Sequence, residues 1–421
     1  MKFKKEISSS RVALLVFITL ISSFAFVSMS KYCFSSAMVF IVAEGHMTTF
    51  ETGLISSAFW LAYAVSQALG GIVADKIRPE PLITFGLVAA GIINGAIYFS
   101  YENYALTLVL WATCALCQFG IWPSIFRIIT TAYSGKAQTR VLAISSMITP
   151  TAMLASYLVA AIIPRWQLGF TVSGVGLLAL AIVWEVVRRG SSEYLDELYL
   201  RREADKAAMG ASGRERPCGA FKLFLISGFF IVLVVAFFRA IISYMPTLMP
   251  SVINSSYSGL DLTATTLMAV LPLFCGVAAP VFGGIISNYA KNELRVAATF
   301  FFVMIPVGIV TLFLGKIGYW AIIGAMALLA FFSSSSTLFL SSLVSAKFNL
   351  LGFGATAAGL LNAAGALGHV AASALMTFLA DTRGWLSSFT VLFILIAASF
   401  MLILIAMPVW KRFKNNYCER N

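Results

Sequence analysis

The chain has 421 residues, a net charge of +12, a mean hydropathy of +0.91, and 11% charged against 60% hydrophobic side chains. A soluble domain of this size cannot keep so much apolar surface from water, so the solvent of this chain is a bilayer. The excess of lysine and arginine then needs no nucleic acid, since anionic lipid headgroups are its natural partner.

A helix crosses the hydrocarbon core with about 20 apolar residues. Twelve stretches reach that length, at roughly 12–43, 52–74, 82–100, 104–132, 138–163, 167–188, 221–249, 263–288, 295–314, 317–345, 352–380 and 385–410. The first is too long, and too free of a small-residue cleavage site, for a removable signal peptide, so it is expected to stay in the protein.

Span 1 carries Lys31 and Tyr32. Lys31 follows Arg11 by about 20 residues, which puts it about 25 to 30 Å along the helix, at or just beyond the membrane midplane. Span 2 carries Trp60, Tyr63 and Gln67 and ends in Gly70-Gly71-Ile72-Val73-Ala74-Asp75-Lys76. Span 4 holds Cys114, Cys117, Trp122, Pro123 and, nearer its cytoplasmic end, Arg127. The two cysteines share a face, a spacing that reads as packing rather than as a metal site, and with Cys33, Cys218, Cys275 and Cys418 they outline no disulfide framework.

Residues 190–220 form the one long polar stretch, with six spans before and six after. Within it SEYLDELYLRREADKAA reads as a charged amphipathic helix on the inner surface, either a tether between repeats or a docking site. Span 7 then brings Arg239, Tyr244 and Pro246-Thr247, with Arg239 at a depth like that of Lys31. Span 8 ends in Gly283-Gly284-Ile285-Ile286-Ser287-Asn288-Tyr289, an echo of the end of span 2 that marks an internal repeat. Small residues there let helix backbones approach closely. Span 10 contains Ser333-Ser334-Ser335-Ser336-Thr337, hydroxyls that either line a cavity or bond back to their own helix. Span 11 contains Asn362 and His369; the histidine is a ligand or proton group, or a packed residue among small neighbours.

With the N-terminus in the cytoplasm, nearly all connecting lysines and arginines fall inside, Lys291 among them, and only Arg165, Lys316 and Arg383 fall outside. Both termini are therefore expected in the cytoplasm. Three basic residues lie well within spans, Lys31, Arg127 and Arg239, and each costs at least a few kcal/mol at depth unless paired or solvated. Glu44, Glu51, Glu102, Asp261 and Asp381 belong to outer ends, and Asp75, Glu80, Glu185 and Glu293 to the cytoplasmic side. Two cations on equivalent spans with no carboxylate between them await an anion, which supplies the missing countercharge. The alternative is that they snorkel or cap carbonyls. Tyr32, Trp60, Tyr63, Gln67, Trp122, Tyr244, Ser335, Asn362 and His369 are the candidate walls of such a site.

Four segments resemble the organophosphate:phosphate antiporter family of the major facilitator superfamily, and together they touch both halves. Lys31-Tyr32-Cys33-Phe34-Ser35-Ser36-Ala37-Met38 is similar to the family's span 1 stretch, with Lys31 where the family has a substrate-binding Arg. Arg239 with Tyr244 and Pro246-Thr247 resembles its second binding Arg; Gly120-Ile121-Trp122-Pro123 followed by Arg127 resembles its span 4. Gly354-Ala355-Thr356-Ala357-Ala358-Gly359, Val370-Ala371-Ala372-Ser373-Ala374, Asp381 and Gly384-Trp385 resemble its span 11. The chain departs from the family at Lys31, which lacks the bidentate fork of Arg, at Gln67, where Lys is frequent, and at Thr131.

The expectations are therefore an all-α membrane protein of twelve transmembrane helices in two pseudo-symmetric six-helix bundles, 1–189 and 221–421, joined by a cytoplasmic linker at 190–220. The resemblance implies a monomeric inner-membrane transporter of a small organic anion, an organophosphate or phosphonate, by alternating access. Lys31 and Arg239 would bind the anion, Asp75 and Arg127 would serve the gate, and Pro123, Pro150, Pro246 and Pro272 with the Gly-rich span 11 would supply the bending. A proton-coupled carboxylate or sugar-acid carrier, or a transporter-like sensor, would need the same cations. No phosphate-cradling loop, metal cluster or nucleophile motif appears, so no catalytic residue, metal or cofactor is expected.

Overall fold

The computed structural model of the protein describes residues 2–162, 165–211, 219–257, 262–287, 292–349 and 351–418. Cys218, Asp261, Asn288, Tyr289 and Lys291 lie outside them. Among the described residues every regular element is helical, and twelve segments are long and apolar enough to cross a membrane.

The first half runs α1 (Lys2–Ala43), α2 (Thr49–Lys76), α3 (Glu80–Ile97), α4 (Tyr104–Cys117), α5 (Ile121–Ala132), α6 (Gly135–Ile162) and α7 (Leu168–Gly190). α2 starts on a capping box: Thr48 Oγ1 accepts from the Glu51 N–H at 3.2 Å, and the Glu51 carboxylate accepts from the Thr48 N–H at 2.8 Å. The linker helix is α8 (Ser192–Ala211). The second half runs α9 (Ala220–Ser227), α10 (Phe229–Tyr244), a 3-10 turn at Met245–Leu248, α11 (Met249–Ser256), α12 (Leu262–Ser287), α13 (Glu293–Thr311), α14 (Tyr319–Thr337), α15 (Val344–Lys347), α16 (Gly354–Ala371), α17 (Thr377–Arg383) and α18 (Trp385–Phe413).

Span 4 is broken at a glycine, and span 7 at a glycine near its start and again at the 3-10 turn that holds Pro246. Gly120, between α4 and α5, has φ +72°, and Gly228, between α9 and α10, has φ +73°. Only glycine takes that left-handed conformation without steric cost. Pro123 lies in the first turn of α5, where its missing N–H is no loss, while Pro150 and Pro272 are inside α6 and α12.

The chain divides into two compact units: Met1–Val141, Thr151–Arg216 and Ser345–Ala363 in one, Leu142–Pro150, Pro217–Val344 and Ala364–Asn421 in the other. In the first, Phe59 stacks on Trp111 at 4.8 Å, and Phe34 and Phe170 close on the same indole, so large rings fill the core. In the second, buried Phe300, Phe301 and Phe339 play that part, and Glu293 at the start of α13 ties down Lys414 at 3.2 Å and the Trp410 indole N–H at 3.2 Å.

The two glycine pairs do equivalent work in the two units. A side chain on Gly70 would begin 2.3 Å from the Gly120 nitrogen, and one on Gly71 would begin 2.6 Å from the Ala355 carbonyl oxygen. In the second unit Gly283 faces the Ser335 carbonyl at 3.2 Å and Gly284 faces Ala143 at 2.9 Å. The first glycine of each pair thus admits span 4 or its counterpart span 10, and the second admits span 11 or its counterpart span 5.

α8 turns a stripe of Leu195, Leu198 and Arg202 inward and leaves most of its other side chains exposed, the pattern of an amphipathic surface helix. Its Asp196 pairs with Arg78, so the linker is docked on the first unit by charge as well as by leucines.

Candidate functional site

Lys31 sits in the interior of α1 with 4% of its surface exposed. Its ammonium donates to the Tyr63 hydroxyl at 3.2 Å and lies 5.4 Å from the Phe24 ring centre and 4.8 Å from that of Tyr63. Among the described residues no carboxylate answers it. A phenol and two ring faces are the support available to that charge, far less than an ion pair would supply.

Tyr63 is the first member of a polar chain through the first unit. Asn362 Nδ2 donates both to the Tyr63 hydroxyl at 3.1 Å and to Gln67 Oε1 at 3.0 Å, and Gln67 Nε2 donates to the Gln118 backbone carbonyl at 3.2 Å. That carbonyl is available because the helix stops at Cys117; its other partner is the Ile121 N–H, at 3.3 Å across the Gly120 break. α16 reaches α2 here through Gly359, where a side chain would begin 2.4 Å from the Gln67 carbonyl oxygen. Of the other candidates, Trp60 sits between Tyr32 and Tyr63, at 5.8 Å from each, and Trp122 stacks on Phe24 at 4.4 Å.

In the second unit Arg239 Nη1 donates to Thr337 Oγ1 at 2.9 Å, and Ser333 Oγ donates to the Arg239 carbonyl at 3.3 Å. Gly368 has no room for a side chain, whose first atom would lie 2.5 Å from the Phe237 carbonyl oxygen. That closeness of α16 and α10 brings the His369 ring to 5.7 Å from Tyr244. Ser335, by contrast, is fully buried and donates to the Ala279 carbonyl at 2.8 Å, an interhelical tie. The hydroxyl that meets the arginine belongs to Thr337, two positions on.

Asp75 and Arg127 organise the cytoplasmic end of α2. Arg127 donates to the carbonyls of Ala74 and, at 2.6 Å, Ile77, so its guanidinium caps the C-terminus of that helix. The Asp75 carboxylate accepts from the N–H groups of Thr356 at 2.7 Å and Ala355 at 3.3 Å, capping the N-terminus of α16, and meets Arg202 of α8 at 3.3 Å. The Tyr199 ring lies 5.2 Å from the Arg78 guanidinium and 5.5 Å from that of Arg127. Outside the membrane segments, burial is the main cause that raises the Tyr199 phenol well above its ordinary value.

Sequence reasoning nominated Lys31, Tyr63, Gln67 and Asn362, and the fold brings those four into one chain of hydrogen bonds. It missed Phe24, the Gln118 carbonyl, Tyr199 and Arg202, and from the span 10 hydroxyl run it chose Ser335 as a wall where Thr337 meets the arginine. Only Arg202 carried a signal, as the cation on the leucine stripe of α8. Among the described residues no group of three or more His, Cys, Asp or Glu side chains could hold a metal ion.

The Major Facilitator Superfamily pattern matches residues 20–361. The membrane sensor protein UhpC of Salmonella typhimurium (strain LT2) is 32% identical over 119 residues, covering 28% of this chain and 27% of its own. A probable hexose phosphate transport protein of Chlamydia trachomatis is 25% identical over 120 residues, 28% of this chain and 26% of its own. The matches thus span about a quarter of the length of these relatives. A probable sulfoacetate transporter, SauU, of Cupriavidus necator is 27% identical over 270 residues, 60% of each chain. In fold, the human organic anion transporter MFSD10 agrees with a TM-score of 0.69 at 15% identity, over 94% of this chain and 99% of the other. With that pattern across most of its length and a fold to match, the chain is a multi-pass membrane protein that belongs to the major facilitator superfamily.

Proposed function

We propose that the protein is a secondary transporter of a small organic anion, an organophosphate or phosphonate exchanged for phosphate, and that Lys31 and Arg239 hold the anionic group. The observation that carries this reading is the buried ammonium of Lys31, which has a phenol and aromatic faces around it and no carboxylate among the described residues. An anion would supply the missing charge, and the hydroxyl of Thr337 would steady Arg239 for the same ligand. A tightly enclosed Lys31 and Tyr63 also require the helices to move before a ligand can enter, as alternating access demands. The hexose phosphate and sulfoacetate relatives are named for anions of this kind. The protein is taken to act as a monomer in an inner membrane with both termini in the cytoplasm, as its basic connections suggest.

The docking of α8 beside Asp75 favours a second reading, a membrane sensor in which anion binding is reported through the linker, and one relative is named as a sensor. The Tyr244–His369 contact is the feature a proton-coupled carboxylate or sugar-acid carrier would use.

Proteoliposomes loaded with phosphate separate the three. Rapid uptake of external glucose 6-phosphate or methylphosphonate that depends on internal phosphate supports exchange; uptake of a hexuronate driven by a proton gradient supports the carboxylate carrier. Binding without uptake supports the sensor, and uptake of neutral or cationic solutes alone overturns the anion reading.

A further inference from the structure

We infer that Gln67 and Asn362 are positioning residues that turn the Tyr63 hydroxyl into a hydrogen-bond donor reserved for the substrate's oxyanion; the inference rests on the anion-transport reading above.

The donors and acceptors around Tyr63 follow from one group of unambiguous polarity. A backbone carbonyl can only accept. Gln67 is wholly buried, and its amide lies 3.2 Å from the Gln118 carbonyl, so the NH2 end must point there. Its Oε1 therefore points the other way, and only a donor can meet it. Asn362, at 3.0 Å from that oxygen, must then present its own NH2, and the same Nδ2 lies 3.1 Å from the Tyr63 oxygen. The Tyr63 oxygen consequently accepts from Asn362. It also accepts from Lys31, because an ammonium has only donors. With both accepted bonds made, the phenolic O–H is left with no acceptor among the described residues.

That proton lies beside the ammonium, in a region where an unmade hydrogen bond is costly. Two neighbouring donors, one charged and one neutral, match two oxygens of a phosphate, phosphonate or sulfonate and repel a ligand that presents its own N–H or O–H. The break at Gly120 thus acts at a distance: by ending α4 it frees the Gln118 carbonyl, and through two amides that carbonyl sets the direction of a phenol on another helix. Asn362 and Gln67 need not touch the ligand to decide its sign.

Isotope-edited infrared spectroscopy of protein labelled with tyrosine carrying 13C at the phenolic carbon, parent minus Tyr63→Phe, isolates the C–O stretch of Tyr63 among fourteen tyrosines. The expected result is an acceptor-only stretch without ligand, moving to the donor position when inorganic phosphate, glucose 6-phosphate or sulfoacetate binds. Asn362→Asp offers a carboxylate that accepts a hydrogen bond from the phenolic O–H, so it should show the donor stretch with no probe present. It should also weaken binding of those probes on the order of 10- to 100-fold, as should Tyr63→Phe. A donor stretch in the ligand-free parent, or full probe affinity in both variants, overturns the relay whatever the substrate is. An acceptor-only stretch in a parent that binds none of the probes overturns the anion reading and with it the purpose assigned to the phenolic proton.

Discussion

Replacing Lys31 by Met removes the charge and keeps the length and volume of the side chain. An ammonium at that depth costs roughly 2.5 to 3.5 kcal/mol on insertion scales. The bond to the Tyr63 hydroxyl returns about 1.5 kcal/mol, and the contacts with Phe24 and Tyr63 return about 0.5 to 1 kcal/mol each. The sum is close to zero, so the ligand-free Lys31→Met protein should melt at the parent's temperature or show a gain of up to about 1 kcal/mol. A cation needed for the fold behaves differently, since removing one member of a buried pair costs roughly 3 to 5 kcal/mol. Thermal unfolding in detergent, read by tryptophan fluorescence with and without 10 mM phosphate or glucose 6-phosphate as the probe (a concentration of the order needed to saturate a millimolar site), separates the two. Preserved stability with lost anion stabilisation is the expected result. A fall of more than about 2 kcal/mol in the ligand-free protein, or anion stabilisation undiminished by the change, refutes the assignment of Lys31 as a charge kept for binding.

Asp75→Ala should destabilise by about 2 to 4 kcal/mol, because it strands Arg202 and two N–H groups at the start of α16, and a double-mutant cycle with Arg202→Met should show coupling of about 1 to 2 kcal/mol. Additive losses in chemical denaturation would mean that the linker helix is not held by that carboxylate. Gly71→Ala, whose new atom would lie 2.6 Å from a backbone oxygen, should cost about 1 to 3 kcal/mol, whereas Gly95→Ala, with open space around it, should be neutral or gain up to about 1 kcal/mol; equal melting temperatures would contradict the close crossing of α2 and α16. Glu293→Gln should lower the melting temperature by the equivalent of about 1 to 3 kcal/mol, since it removes the charge that answers buried Lys414, and recovery by Lys414→Met in the same chain would confirm the cause.

The membrane class and the number of spans were legible because hydropathy and length are local properties that a bilayer reads one segment at a time. The glycine pairs were legible for a similar reason: small residues repeated at equivalent places imply close helix crossings whatever the partner. Lys31, Gln67, Tyr63 and Asn362 stood out singly as polar groups in apolar surroundings. Nothing local says that Asn362 bonds Tyr63 across 299 residues, because helical periodicity tells which residues share a face and not which faces meet. The run of hydroxyls in span 10 shows the same limit. Five consecutive candidates circle the helix, and only packing decides that Ser335 spends its hydroxyl on Ala279 while Thr337 meets Arg239.

Pro246 does sit in the 3-10 turn that interrupts span 7, but Pro123 falls where a helix tolerates it, and the break in span 4 is a left-handed turn at Gly120 that depends on the backbone on either side. What the sequence by itself determined is a twelve-span membrane protein with an internal repeat and unbalanced cations, since these follow from the free energy of each segment in lipid. What only the tertiary structure decided is which donors and acceptors meet, because hydrogen-bond partners and their direction are set by distances between helices that no single helix contains.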